Sequence, residues 1–304
     1  MKKVIFMGTP TYADAILAKL IDTDDIEVVA VYTQPDKPVG RKKVLTPPVV
    51  KVRALECNIP VYQPIKLREE SVVSEILEIE CDYIVVAAYG QILPKAILDH
   101  APCINLHASI LPQYRGASPI QQTLLNGDKQ TGVTAMLMEE GLDTGDILKI
   151  EIIDVDEDEM LEGLFDKLTQ LAAKLTVDVL ENFTSLTPQK QDNTKASYCK
   201  KITKADGLIS FDANAREIYN KYRAFTPWPG IYLESGLKIK SMKRSKQSFH
   251  GKVGEIVAIE KEFIVVTCKE GSVEIFNVQP QSKKEMSVIS YINGKRLQIA
   301  DILL

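Results

Sequence analysis

The sequence has no long hydrophobic run. None of its apolar segments approaches the roughly 20 residues that a helix needs to cross a bilayer. The run 4–7 behind the basic opening residues is interrupted at once by Gly8-Thr9-Pro10, which makes it too short for the apolar region of a signal peptide. We therefore expect no membrane partner.

Cysteine is scarce and follows no pattern. The chain has 5 cysteines, an odd number, and no two of them are spaced C-x-x-C. Their number and spacing argue against a disulfide framework and against a zinc site. We expect a protein of the reducing cytoplasm that holds no metal.

A dinucleotide-binding fingerprint is also missing. Residues 2–7 predict a buried first strand, and Gly8-Thr9-Pro10 leads into a predicted helix over 12–21. Gly8 is not followed by the further glycines of G-x-G-x-x-G. The opening of the chain therefore argues against an NAD-dependent enzyme.

The first part of the chain alternates strand and helix patterns. Apolar runs at 2–7, 26–33 and 82–88 are nearly continuous, as in strands that helices cover on both faces. Helical spacing follows at 46–56 and 69–79. The pattern predicts an α/β fold with a Rossmann-like parallel sheet, whose ligands bind beyond the carboxyl ends of the strands.

A second domain is expected because 304 residues exceed the usual size of a single core. The polar stretch 184–194 has no periodic pattern and indicates a linker. Short alternating strands separated by glycines come after it and predict a small β-barrel. The predicted division is a catalytic domain at 1–190, a linker at 191–205 and a barrel domain at 206–304.

The charge is unevenly distributed along the chain. Residues 195–304 contain 19 Lys+Arg and 11 Asp+Glu, a net charge of +8, although the whole chain carries −4. A basic domain attached to an acidic body favours a nucleic-acid partner. The alternative is a basic face that is merely solvated.

Asn105 and His107 stand at the end of a predicted strand, 103–107. Side chains two residues apart on a strand project from the same face, so the amide and the imidazole lie side by side. The amide can donate to a carbonyl oxygen that becomes anionic, and the imidazole can move a proton near neutral pH. This pair predicts attack on a carbonyl carbon. The alternative is a structural histidine whose ring is satisfied by its neighbours.

Asp143 lies in Gly141-Leu142-Asp143-Thr144-Gly145, a predicted loop after the strand pattern 133–138. Its carboxylate can orient His107 or accept a proton itself, and the sequence leaves both roles open. An aspartate in a glycine-rich turn also often does no more than cap the turn.

Together these motifs resemble the signature of the folate-dependent formyltransferases. The resemblance rests, in chain order, on Met7-Gly8-Thr9-Pro10, Asn105, His107, Ser109-Ile110-Leu111-Pro112, Gly141-Leu142-Asp143-Thr144-Gly145 and Pro227-Trp228-Pro229-Gly230. Over its whole length the chain is similar to the members that formylate methionine on initiator tRNA. Two residues depart from the family pattern: Ile110 replaces a usual Leu, and Gln113 replaces a usual basic residue.

The resemblance implies transfer of the formyl group of 10-formyltetrahydrofolate to the free α-amino group of methionyl-initiator tRNA. It implies catalytic roles for Asn105, His107 and Asp143, and an OB-like form for the barrel of the second domain. The residues implied to contact the folate are Ser109, Ile110, Leu111, Pro112, Gln91, Ile92 and Leu93. Those implied to contact the tRNA are Arg41, Lys42 and Lys43, on a basic loop that is predicted to be mobile.

Three alternatives stay open at this point. The amine acceptor of a formyltransferase can be a sugar nucleotide or glycinamide ribonucleotide instead of tRNA. A hydrolase with the same residues would release formate to water. A non-catalytic RNA-binding protein could retain the scaffold, although the intact trio of Asn105, His107 and Asp143 argues against it. We expect a monomer.

Overall fold

The computed structural model describes residues 1–40 and 42–303 and divides into two compact units. The first unit comprises Met1–Pro119, Gln130–Asp154 and Leu164–Cys199, and the second comprises Ile120–Lys129, Val155–Gly163 and Lys200–Leu304. None of the helices in the described part of the chain is long and apolar enough to cross a membrane.

The first unit contains eleven strands within the described residues. They are β1 Lys2–Gly8, β2 Ile26–Tyr32, β3 Lys37–Val39, β4 Val44–Thr46, β5 Val61–Tyr62, β6 Tyr83–Ala87, β7 Cys103–His107, β8 Arg115–Gly116, β9 Gln130–Leu137, β10 Ile147–Asp154 and β11 Tyr198–Cys199. The α-helices up to residue 182 are α1 Thr11–Ile21, α2 Val49–Glu56, α3 Glu70–Leu77, α4 Lys95–Leu98, α5 Pro119–Asn126 and α6 Leu161–Asn182.

A seven-stranded sheet in the order β10-β9-β7-β6-β1-β2-β5 forms the centre of the first unit. The strands from β7 to β5 are parallel, but β9 is antiparallel to β7 and β10 is antiparallel to β9. The sheet is therefore mixed, whereas the sequence analysis expected a parallel one. The short loop 138–146 explains the antiparallel pairing of β10 with β9, because parallel neighbours need a long crossover connection.

Both faces of this sheet are buried. The side chains from Val4 to Met7 in β1 are fully buried, and Ile5, Tyr32 and Ile84 share one apolar cluster. Helix α6 adds a buried apolar stripe that includes Leu168, and Tyr12 of α1 contacts Phe165 of α6 edge to face. Burial on both faces explains the nearly continuous apolar runs of the sequence, and the predicted α/β fold of this part is confirmed.

The second unit is rich in β-structure. Its strands are β12 Ile231–Tyr232, β13 Lys238–Arg244, β14 Ile256–Ile259, β15 Ile264–Thr267, β16 Ser272–Gln279 and β17 Met286–Ser287, and its later helices are α7 Ala215–Phe225 and α8 Val288–Lys295. The strands pair antiparallel in the order β12-β13-β16-β15-β14, with β17 on β16. A β-rich second domain is thus confirmed, and its closure into an OB-like barrel stays a prediction.

Two short segments that precede residue 200 belong to this second unit. The guanidinium of Arg223 in α7 is buried, and it donates to the backbone carbonyls of Leu124 at 3.5 Å and Glu159 at 3.1 Å. Asn220 donates to the carbonyl of Leu125 at 3.2 Å. A buried guanidinium needs such acceptors, and here 120–129 and 155–163 supply them. The second unit therefore draws on segments that the sequence analysis placed in 1–190.

Candidate active site

Strand β7 lies between β6 and β9 in the interior of the sheet and carries Asn105 and His107. In the register of the sheet, Asn105 is opposite Val86 of β6 and Met136 of β9. His107 is 6% exposed and Asn105 is half-buried. As the spacing predicts, both side chains project from one face of the sheet.

Asp143 lies on the predicted loop after β9, but β9 runs opposite to the direction expected in a parallel sheet. Because β9 is antiparallel, its carboxyl end lies beside the start of β7, where Met138 donates its backbone N–H to the carbonyl of Cys103 at 2.8 Å. The carboxyl end of β9 therefore does not lie with those of β6 and β7 at the edge where ligands were expected. The loop from β9 nevertheless brings the carboxylate to the site, with Asp143 itself at a φ of +53°.

The structure brings the three predicted catalytic side chains together. Nδ2 of Asn105 donates to Oδ1 of Asp143 at 3.4 Å. Nδ1 of His107 lies 3.7 Å from Oδ2 of the same carboxylate. The side chains of His107 and Asp143 are 7% and 11% exposed, so the pair is largely shielded from bulk water.

A backbone carbonyl fixes the tautomer of His107. Nε2 lies 2.9 Å from the carbonyl oxygen of Tyr114, and a carbonyl oxygen can only accept. Nε2 therefore carries a proton, and Nδ1 of the neutral ring is left as the atom that gains or loses one. That atom faces Asp143.

Both oxygens of the Asp143 carboxylate accept hydrogen bonds from the protein. Oδ2 accepts the backbone N–H of Gly116 at 2.7 Å, while Oδ1 accepts the Asn105 amide. The side-chain amide of Gln191 donates to the carbonyl oxygens of Asp143 at 2.9 Å and Gly145 at 2.8 Å. These bonds fix both the carboxylate and the backbone that carries it.

A buried arginine anchors Gln191 in turn. Oε1 of Gln191 accepts from Nη2 of Arg115 at 2.7 Å and from Nε at 3.1 Å. Nη2 also donates to Oδ1 of Asn193 at 2.8 Å, and Arg115 is 2% exposed. Sequence reasoning missed these roles because Gln191 and Asn193 lie in a polar stretch without periodicity, which was assigned to the linker.

Glycine is required at position 116 by the close approach of another strand. Gly116 has a φ of +119°, and a Cβ there would collide with the carbonyl oxygen of Cys199 in β11.

Burial raises the pKa of the Cys199 thiol, and the nearby charge of Asp143 adds to the effect. This thiol is therefore neutral near pH 7 and is no nucleophile.

The residues implied to contact folate differ in how much of their surface and of their hydrogen-bonding groups is available to a ligand. Gln91 uses its amide within the protein, accepting from the N–H of Leu67 at 2.8 Å and donating to the carbonyl of Pro64 at 3.1 Å. Leu93 belongs to the buried core, whereas Ile92 is 82% exposed. Of this segment, Ile92 presents the apolar surface that a ligand can reach.

The segment Ser109 to Pro112 is tied to the strand beside it. The hydroxyl of Ser109 donates to the carbonyl of Gln113 at 2.5 Å. The hydroxyl of Thr134 donates to the carbonyl of Ser109 and accepts the N–H of Leu111. Leu111 is buried, while Ile110 and Pro112 are half-buried. Ile110 and Pro112 are therefore the members that can offer surface to a ring.

The basic loop forms a hairpin and is not an irregular loop. Strands β3 and β4 pair antiparallel, and Gly40 with a φ of +70° opens the turn between them. The sequence analysis missed these strands because two prolines and a basic cluster outweighed the β-branched pair of Val39 and Val44. Lys42 and Lys43 are exposed at the turn. Arg41 lies outside the described residues.

Among the described residues, no group of three or more His, Cys, Asp or Glu side chains is arranged to hold a metal ion.

Comparison with known proteins places the chain within one family. The formyl transferase family matches residues 1–180, and its C-terminal domain matches residues 201–296. The methionyl-tRNA formyltransferase of Sulfurimonas denitrificans is 65% identical over 301 residues, which cover 99% of each chain. The protein of the same name from Nitratiruptor sp. is 54% identical, covering 98% of this chain and 99% of that one.

A solved structure shares the fold at low sequence identity. The N-formyltransferase of Helicobacter canadensis, solved with folinic acid and dTDP-3-aminofucose, has a TM-score of 0.70 at 19% identity. The match covers 92% of this chain and all of that one. The resemblance drawn from the sequence is confirmed, and this chain belongs to the formyl transferase family.

Proposed function

We propose that this protein transfers the formyl group of 10-formyltetrahydrofolate to the free amino group of methionyl-initiator tRNA, giving N-formylmethionyl-tRNA for translation initiation. The observation that carries the proposal is the convergence of Asn105, His107 and Asp143, at 3.4 and 3.7 Å, on one face of β7. Two relatives named methionyl-tRNA formyltransferase, which are 65% and 54% identical and cover 99% and 98% of this chain, support the choice of acceptor.

Asn105 stabilises the oxygen of the formyl group. When the amine attacks the carbonyl carbon, that oxygen becomes anionic and needs hydrogen-bond donors that are already in place. One N–H of the Asn105 amide is directed to Asp143 through a long bond of 3.4 Å. The other makes no hydrogen bond within the described part of the chain and is available for the oxyanion. An amide is a suitable donor here because it cannot lose its proton to the oxyanion.

His107 moves the proton. Attack by the amine creates a positively charged nitrogen that must lose a proton, and the folate nitrogen that leaves must gain one. Nδ1 of His107 has no proton in the neutral ring, because Nε2 donates to Tyr114. His107 therefore accepts the amine proton at Nδ1 and delivers it to the leaving nitrogen. The carbon–nitrogen bond to the amine forms first and gives the oxyanion, and the bond to the folate nitrogen breaks when the oxyanion collapses to the new formyl group.

Asp143 supports the imidazolium and does not act as the base. Both of its oxygens already accept hydrogen bonds, from Asn105 and from Gly116. Oδ2 lies 3.7 Å from Nδ1 of His107, close enough to favour the positive charge while the proton is on the ring. This geometry supports His107 as the base, a question that the sequence left open.

The two segments that the resemblance implies for folate binding, 91–93 and 109–112, fit a flat heterocycle. Ile92 is 82% exposed, and Ile110 and Pro112 are half-buried, so both segments have accessible apolar surface. Such pockets combine apolar walls with a few fixed polar groups. The residues that hold these two segments in place are Ser109, Leu111, Gln91 and Leu93.

The partners follow from this reaction. They are folate and methionyl-initiator tRNA, and the proposed tRNA contacts are Lys42 and Lys43 at the turn of the basic hairpin, together with Arg41. Because charged initiator tRNA is a cytoplasmic molecule, the protein acts in the cytoplasm. The proposed oligomeric state is a monomer. Light scattering of the purified protein during size-exclusion chromatography measures this oligomeric state.

One incubation tests donor and acceptor together. The protein is mixed with formyl-labelled 10-formyltetrahydrofolate and methionyl-initiator tRNA, and label on the methionine is expected. Uncharged initiator tRNA, methionyl-elongator tRNA and a dTDP-linked amino sugar serve as alternative acceptors. Label on the amino sugar and none on the tRNA would refute the proposed acceptor, and formate release without an amine would indicate a hydrolase.

A further inference from the structure

Ser197 holds the stretch of backbone that contacts His107. It immediately precedes β11 and is half-buried. Its hydroxyl, its backbone N–H and its carbonyl each make a hydrogen bond to the backbone of 112–115. We propose that Ser197 is a positioning residue, which acts through the backbone of Tyr114 to keep Nδ1 of His107 free of a proton. This inference deepens the proposed function and rests on it.

Two successive peptide units are bound by Ser197. Its Oγ accepts the N–H of Tyr114 at 2.9 Å, and its carbonyl oxygen accepts the N–H of Arg115 at 2.9 Å. The N–H of Arg115 belongs to the same peptide unit as the carbonyl of Tyr114. Because a peptide unit is planar, a bond that fixes its N–H also fixes the direction of its carbonyl. That carbonyl is the one that lies 2.9 Å from Nε2 of His107.

The backbone conformation of Tyr114 depends on contacts of this kind. Tyr114 has a φ of +60°, a left-handed conformation that is unfavourable for a residue with a Cβ. The peptide unit on its amino side is held at both ends, because the hydroxyl of Ser109 donates to the carbonyl of Gln113 at 2.5 Å and Ser197 accepts the N–H. Removal of the Ser197 hydroxyl releases one of these ends. The strained backbone can then relax and turn the Tyr114 carbonyl away from His107.

Two acceptors compete for the single proton of the neutral His107 ring. The carbonyl of Tyr114 lies 2.9 Å from Nε2, and Oδ2 of Asp143 lies 3.7 Å from Nδ1. A carboxylate is the stronger acceptor of the two, so the proton stays on Nε2 only while the carbonyl keeps its shorter distance. A proton on Nδ1 would point to Asp143, and Nδ1 could not take up the proton of the amine. Ser197 therefore sets which ring nitrogen is the base.

A second group of β11 touches the same carbonyl but does not replace the Ser197 hydroxyl. The thiol of Cys199 donates to the carbonyl oxygen of Tyr114 at 3.3 Å. A thiol is a weak donor, and it contacts the carbonyl and not the N–H groups that set the direction of that carbonyl. The hydroxyl of Ser197 is therefore the group to change.

The third hydrogen bond of Ser197 allows binding and chemistry to be measured apart. Its backbone N–H donates to the carbonyl of Pro112 at 3.2 Å, in the segment 109–112 that is proposed to contact folate. Substitution of the side chain leaves this backbone bond in place. A side-chain variant should therefore change kcat and leave the KM for folate almost unchanged.

Nuclear magnetic resonance of the histidine rings reads the tautomer directly. The chain has 3 histidines, so selective ¹⁵N labelling of the full-length protein gives few signals, and His100→Gln and His250→Gln identify the other two. At about pH 8 an ordinary imidazole is neutral. Two-bond ¹H–¹⁵N correlations should then show His107 protonated at Nε2 in the wild type. In Ser197→Ala we expect a large share of the rings to be protonated at Nδ1.

Kinetics on the same preparations complete the test. Ser197→Ala should lower kcat about tenfold, and the KM for folate should change less than about twofold. Ser197→Thr keeps the hydroxyl and should restore both the tautomer and kcat. The matched control is Ser287→Ala, which removes a hydroxyl that accepts the backbone N–H of Ser290 at 3.2 Å in the second unit. It should leave the His107 signals and kcat as they are in the wild type.

The outcomes separate positioning from a merely structural role. A fall in kcat without a change of tautomer would overturn the inference, and so would a loss in Ser197→Thr as large as that in Ser197→Ala. If Ser197→Ala does not fold, Ser197→Cys takes its place, since it keeps a weak acceptor of similar size, and an unchanged tautomer in that variant also overturns the inference.

The same measurements distinguish this inference from the proposed function. The tautomer is observed without any substrate, so it does not depend on formyl transfer. A wild type that transfers no formyl group to methionyl-tRNA, although Ser197→Ala still moves the proton to Nδ1, would refute the proposed function and leave the control of the tautomer by Ser197 standing.

Discussion

The side-chain amide of Gln191 donates a hydrogen bond to the backbone carbonyl of Asp143 at 2.9 Å. The two residues are 48 positions apart in the chain, and the bond holds Asp143 in a left-handed conformation, with a φ of +53°. Such a conformation is unfavourable for a residue with a Cβ. Surrounding contacts must therefore impose it, and Gln191 provides the central one.

Substitution of Gln191 should reduce turnover. Gln191→Ala removes the donor to Asp143 and also the acceptor of buried Arg115, which should cost about 2 kcal/mol of unfolding free energy. Because the carboxylate is then free to move, we expect kcat to fall about tenfold with little change in the KM for folate.

Gln191→Glu is the matched variant that separates the two effects. It keeps oxygens for Arg115 but has no N–H for the carbonyls of Asp143 and Gly145. We expect a smaller loss of stability than in Gln191→Ala and a similar loss of kcat. Full turnover of Gln191→Glu would show that the bond to Asp143 does not position the carboxylate.

Removal of the Asn105 amide should affect the chemical step more than binding. Asn105→Ala takes away the donor proposed for the oxyanion, and losses of such donors lower kcat about 10²- to 10³-fold. Affinity for the folate should change less than about threefold, since the bond strengthens only in the transition state. Single-turnover kinetics and equilibrium folate binding, measured on the same preparation, test this. Near-normal turnover would rule out the role.

Gly116→Ala should destabilise the first unit strongly. The new Cβ would meet the carbonyl of Cys199 at a φ of +119°, and we expect a loss of about 3 kcal/mol from strain and collision. Gly90→Ala is the control, because Gly90 also has a positive φ, +81°, but has no atom within 4 Å of the point that a Cβ would occupy. It should cost about 1 kcal/mol. Urea unfolding compares the two, and equal losses would mean that the contact with Cys199 is unimportant.

Stability should depend on pH through Asp206. The side-chain hydroxyl of Thr203 and then its backbone N–H donate to this carboxylate and lower its pKa below the usual value of 3.8. A carboxyl whose folded pKa lies below its unfolded pKa stabilises the protein above the unfolded value, and the stabilisation is lost as pH falls through the folded value. We therefore expect it to be present above pH 4 and to disappear below.

Thr203→Val tests this dependence because it removes the main donor and keeps the carboxylate. The difference in urea midpoint between wild type and Thr203→Val should be largest at pH 5 to 6 and should shrink as pH falls below about 4. A difference that stays constant from pH 6 to pH 3 would contradict the assignment to Asp206.

Much of the first unit could be predicted because its signals are local. Strand β7 has the predicted bounds, Cys103–His107, and helix α1, Thr11–Ile21, begins one residue before the predicted 12–21, since an apolar run and a helical period depend only on neighbouring residues. Helix α8 was missed because Val288–Lys295 is short and its polar and apolar faces differ little. The position of Asn105 beside His107 followed from the two-residue repeat of a strand.

The amino-acid sequence by itself therefore determined the alternating α/β pattern, the β-rich second part and the identity of the three polar residues at the site. Only the tertiary structure decided that β9 runs antiparallel to β7 and that its loop brings Asp143 to Asn105 and His107. It also decided that Arg115 and Gln191 hold the carboxylate in place. The physical reason is that strand direction and long-range hydrogen bonds depend on which distant segments meet, and local periodicity carries no information about those partners.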